Sequence, residues 1–179
     1  VKALVTCFNH SNQLNAKLEE AMNSINRDIP EGDGTPKLTQ LKQEVCTRWN
    51  STYSMYESVL ICHDGIRRSL SSDSKTFRDH GAKILSSDEL DGLKTLCHLL
   101  LPFKAVSDIM GASNYVTLSV VLPALNHLLE ILKVIELPVD CQKLADLMFE
   151  DLEQRSKAYF ENDLLIAACR LDHRYKSLT

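Results

Sequence analysis

The chain has 179 residues and a formal net charge of −4, with 44% hydrophobic and 25% charged residues, the balance of a globular chain and not a disordered one. That acidic balance argues against a uniformly basic nucleic-acid module and leaves only local basic patches. The longest apolar run, 118–132, is broken by Pro123, Asn126, His127 and Glu130, so nothing reaches the ~18 residues of a membrane span and no membrane partner is expected.

Residues 2–25 set Leu4, Phe8, Leu14, Leu18, Met22 and Ile25 at three- and four-residue steps, which predicts an amphipathic helix. A Pro/Gly loop over 30–36 follows, and 37–46 is ambiguous. Asn50 or Ser51 can cap a helix running to about 70, with Tyr53, Tyr56, Val59, Leu60 and Ile66 on one connected face. Serines at 71–74 break it. Ser87 then caps a helix whose first turn holds Asp88 and Glu89, and whose wide apolar face runs from Leu90 to Phe103. Pro102 should kink that helix.

A second bent helix is predicted from Thr117 past Pro123 to Ile135, and Asp140 caps another reaching about Phe160. Residues 164–169 read as a last short helix before the basic tail 170–176. Only 1–8 and 45–49 have the composition of short strands. The fold class is therefore mostly α, with at most one or two short strands near the N-terminal third.

Chemistry is sparse. Six cysteines stand tens of residues apart without a CxxC, which fits reduced buried thiols in a cytosolic or nuclear protein. Cys7 and His10 form a CxxH with no second ligand pair, so no metal site is expected. Cys62–His63 and Cys97–His98 are sequence neighbours, which on a helix point about a hundred degrees apart and make no dyad. Phosphate loops, nucleophile elbows and zinc-protease motifs are absent. The acids after Asp140 are explained by a solvated helix face.

Two places remain. Thr47-Arg48-Trp49-Asn50-Ser51-Thr52-Tyr53 joins the single tryptophan, a flat stacking surface, to a guanidinium that binds phosphate through a planar fork. A packed core anchor is the plainer alternative for that ring. The tail Arg170-Leu171-Asp172-His173-Arg174-Tyr175-Lys176 is dense in cations with one ring for stacking, or else complements a helix C-terminus.

Three blocks together resemble the hAT superfamily of transposases and the zinc-finger BED-type proteins derived from them. They are 47–53 with Met55, Glu57 and Leu60; Leu101-Pro102-Phe103 followed by Ser107, Gly111, Tyr115, Thr117-Leu118-Ser119 and Leu122-Pro123; and Ile166 through Lys176. Phe8 and Ser11 fit the Phe-x-x-Ser that precedes them. His173 departs from the pattern, standing where the family usually has proline.

The resemblance implies an RNase H-like catalytic fold split by a helical insertion, with residues 1–49 ending the first half and 50–179 forming the insertion. The family's two catalytic aspartates and its glutamate would lie before Val1 and beyond Thr179. Val1 is no initiator, and the chain reads as a piece of a longer protein. On this resemblance the piece is no enzyme and holds no cofactor. A zinc-bearing BED finger, a divalent metal and pairing with a second copy belong to other parts of the protein. The expected setting is a domesticated protein in the nucleus, acting in DNA binding, transcription or chromatin regulation, with Arg48, Trp49, Arg174 and Lys176 as DNA-contact candidates. The rival expectation is a helical protein–protein scaffold that binds no DNA.

Overall fold

A computed structural model of the chain describes residues 1–30, 37–70, 83–111 and 118–175. Among these residues every regular element is helical: α1 (Lys2–His10), α2 (Asn12–Arg27), α3 (Trp49–Ile61), α4 (His63–Leu70), α5 (Ser87–Met110), a 3-10 turn (Leu118–Val120), α6 (Val121–Val134), α7 (Val139–Phe160) and α8 (Asp163–Leu171). The mostly α expectation holds, and neither candidate strand forms. In α1 the buried residues are Leu4, Val5, Cys7 and Phe8, a helical spacing that alternation could not satisfy. Residues 45–48 make a turn, closed by the Arg48 amide donating to the Val45 carbonyl at 2.9 Å, and Trp49 opens α3.

Several expected boundaries move, each for a local reason. The helix over 2–25 divides at Ser11, whose extended backbone (φ −117°, ψ 105°) stops α1 and whose hydroxyl accepts from the Leu14 amide to start α2. The helix to 70 divides at Cys62. Ser86, one residue before the expected cap, forms a reciprocal box with Glu89: its hydroxyl accepts from the Glu89 amide at 3.2 Å and its own amide donates to the Glu89 carboxylate at 2.8 Å. Pro102 lies inside α5, which continues to Met110.

Pro123 falls in the first turn of α6, where a missing N–H costs nothing. Asp140 sits inside the first turn of α7 and does not cap it. Asn162 starts α8 by accepting from the Leu164 and Leu165 amides at 3.0 and 3.2 Å. The breaks expected at 31–36 and 71–74 lie outside the described residues.

The chain divides into two compact units, Val1–Cys97 and His98–Thr179. In the first, α2 packs on α4, and Leu14, Leu18 and Met22 meet Ile66 and Leu70 in a core completed by Phe8, Leu41, Met55, Val59 and Leu93. Residues on both sides of 49/50 share that core. The expected partition there concerns family relationship, which the compact units do not address. In the second unit α6 packs on α7 around Leu99, Leu132 and Ala145, while Leu122, Leu165 and Cys169 form a smaller cluster under Tyr175.

Two helical glycines should respond oppositely to alanine. A Cβ on Gly65 would stand 2.5 Å from Met22 Sδ and 2.8 Å from Met22 Cγ, both inside the core, whereas one on Gly92 meets nothing within 4 Å. Gly65→Ala is expected to destabilise by about 1–3 kcal/mol through overpacking, and Gly92→Ala to stabilise by about 0.5–1 kcal/mol through helix propensity. Denaturant titrations of the two variants check both signs.

Candidate functional site

Hydroxyl groups build the corner around Arg48 and Trp49. The Ser51 Oγ accepts from the Val45 amide at 2.8 Å, and its one proton is shared between the Val45 carbonyl at 2.9 Å and the Arg48 carbonyl at 2.6 Å. The neighbouring Thr52 hydroxyl donates to Glu44 at 2.7 Å, and Glu44 pairs with Lys2 at 2.6 Å. Lys2 first, then Thr52, holds the Glu44 carboxyl below its ordinary range. Tyr53 is buried. The serine, threonine and tyrosine of the block are thus structural.

What remains of the block faces solvent. Thr47 and Arg48 are exposed, and Trp49 is 45% exposed at the first position of α3. The guanidinium of Arg48 has no hydrogen-bond or ion-pair partner among the described residues. The first turn of α3 carries no acid, so its positive helix end is not offset there. The core-anchor alternative for this tryptophan therefore does not describe its placement.

The irregular segment 37–48 that delivers Arg48 is fastened along its length. Leu41 is buried in the core, and the Lys42 amide donates to the buried Ser58 hydroxyl at 3.0 Å. Asn26 donates to the Leu38 carbonyl at 3.2 Å and Asn9 to Gln43 at 2.8 Å. These contacts satisfy backbone groups that a sheet would otherwise pair. Sequence reasoning missed Ser58, although a serine on the apolar side of a helix is the kind of residue that seeks such a partner.

The tail candidates lie in the other unit. Asp172 ends α8, and its carboxylate accepts from the Ser119 hydroxyl at 2.7 Å, from the Arg174 amide at 3.1 Å and from Arg174 Nη2 at 2.7 Å. The Arg174 guanidinium, then the Ser119 hydroxyl, holds the Asp172 carboxyl well below the usual carboxylate range. Arg174 also lies 5.2 Å from the Tyr175 ring centre. Lys176 lies outside the described residues. The bond from Ser119 to Asp172 joins the second and third sequence blocks, a link across 53 positions that no sequence signal announced.

Among the described residues no three His, Cys, Asp or Glu side chains come together as a metal site, so neither the zinc nor the divalent metal that the resemblance implies fits this set. Cys7 is buried while His10 is exposed. Burial pushes the Cys62 thiol up to about 11, and burial followed by Glu57 does the same to Cys97. Both are protonated at neutral pH and poor nucleophiles.

Three outcomes are expected. The unfolded chain ionises its thiols at about 9, before folded Cys62 and Cys97 do at about 11, so their contribution to stability falls as pH rises from 9 and is gone by 11. Iodoacetamide should accordingly modify exposed Cys46 in the native protein, and Cys7, Cys62, Cys97 and Cys169 only on unfolding. Ser51→Ala should cost about 1 kcal/mol and expose the Val45 amide to hydrogen exchange, read by NMR.

The family model described as ZBED1 RNase-like helical domain matches residues 1–99, more than half of the 179, and its limit falls two residues past the end of the first compact unit. No curated protein and no solved structure matches the chain. A chain whose described elements are all helical and whose first unit carries this match belongs to the ZBED family of transposase-derived proteins, through their RNase-like helical domain.

Proposed function

We propose that this chain is a non-catalytic helical platform of a nuclear, transposase-derived protein and that it presents Arg48 and Trp49 to DNA. The observation that carries the reading is the corner itself. A guanidinium without a partner among the described residues and a half-exposed indole occupy consecutive positions on a backbone held by the Ser51, Thr52 and Ser58 hydroxyls. A backbone held beforehand lets the cation meet a phosphate and the ring stack on a base with only side-chain freedom left to lose. In this reading the chain performs no reaction and holds no cofactor. Metal-holding acids, a zinc-bearing BED finger and pairing with a second copy belong to other parts of the protein.

A second reading has its own observation. Val134, Val139 and Leu147 in the second unit are 73%, 87% and 55% exposed, and the overall charge is acidic, as a protein-binding scaffold would favour. Light scattering beside a gel shift separates the two, since a scaffold self-associates or binds protein without shifting DNA.

The direct test is DNA affinity of the full-length protein across a salt series, wild type against Arg48→Ala/Trp49→Ala. Loss of one phosphate contact should flatten the slope of log K against log salt by about 0.9. Loss of one stacked base should weaken binding roughly five- to a hundredfold. Unchanged affinity and slope would remove both residues from the interface.

A further inference from the structure

The tail cation behaves differently from Arg48, because its fork already holds an oxyanion. Arg174 Nε donates to Asp172 Oδ1 at 3.0 Å and Nη2 donates to Oδ2 at 2.7 Å, a two-point grip of the kind a phosphodiester takes from arginine. The carboxylate is itself fixed. Ser119 donates to Oδ2 at 2.7 Å, the Arg174 amide donates to Oδ1 at 3.1 Å, and the Asp172 side chain is only 13% exposed. The Tyr175 ring, 5.2 Å from the guanidinium carbon, backs the cation, whose side chain is 46% exposed. One positive and one negative charge at this spacing cancel, so an approaching phosphate meets no net attraction.

We propose that Arg174 is a self-masked phosphate site, in which the Asp172 carboxylate occupies the guanidinium edge that a DNA phosphodiester would take. The inference rests on DNA being the partner, as in the reading above, but it concerns a different unit and different residues. Ser119 is the positioning residue, since it keeps Asp172 in the fork when nothing else binds. The site opens only when the Asp172 charge is removed.

Asp172→Asn tests this, because asparagine can still accept from Ser119 while the masking charge is gone. In the full-length protein, duplex DNA affinity at low salt should rise several-fold. The slope of log K against log salt should steepen by about 0.9, the value for one added phosphate contact. Asp172→Asn/Arg174→Ala should lose that gain. No gain in Asp172→Asn, or a gain that survives removal of Arg174, overturns the masking.

If Asp172→Asn does not fold, the Arg174 Nε–H resonance of the wild type decides. It should stay in place and protected while duplex DNA is added to saturation, and a shift with DNA overturns the proposal. The two readings fail separately. Wild type that binds DNA without a gain in Asp172→Asn sinks only the masking, whereas DNA binding by Asp172→Asn alone sinks only the role of Arg48 and Trp49.

Discussion

Hydroxyls on one helix decide where the first unit puts its chemistry. Ser51 and Ser58 stand two turns apart on α3 and take the Val45 and Lys42 amides, while Thr52 between them holds Glu44. The irregular segment 37–48 has no sheet to join among the described residues, so its backbone groups depend on such partners. Leu41 adds an apolar anchor in the core. With the segment tied at these points, the chain reaches Arg48 in an extended conformation (φ −134°, ψ 102°) and enters α3 with the arginine and tryptophan turned outward.

The second unit uses the same economy of means for another end. Its tail is folded back on itself: Tyr175 packs beside Leu122, Leu165 and Cys169, and Asp172 ties α8 to the 3-10 turn through Ser119. A run that reads in sequence as a basic patch is therefore, in part, an internally neutral cluster. Counting cations along the chain overstates the positive field that a partner meets, because the aspartate between them counts too.

Much of the helical architecture was legible. Three- and four-residue apolar spacing located α2, α5 and α7, and it outweighed the β-branched composition of residues 1–8 once Leu4, Val5, Cys7 and Phe8 found one core. Boundaries were less legible, because they turn on single side chains with several possible partners. Ser11, Ser86 and Asn162 each cap a helix, and in each case a neighbouring serine, aspartate or unbroken apolar stripe read equally well. The site was legible as residue types at 47–53 and as a resemblance. Its geometry was not, since the bonds from Ser58 to Lys42 and from Ser119 to Asp172 join positions far apart in the chain.

The central claim is that the indole of Trp49 is open to solvent on a backbone held in place by the Ser51 hydroxyl, and it is the only tryptophan in the chain. Its fluorescence therefore reports the corner without a label. Steady-state quenching by acrylamide together with time-resolved anisotropy measures access and local motion in one sample. The account predicts ready quenching with anisotropy that decays only as the whole molecule tumbles. A quench-resistant, blue-shifted indole, or a fast local decay, would contradict it.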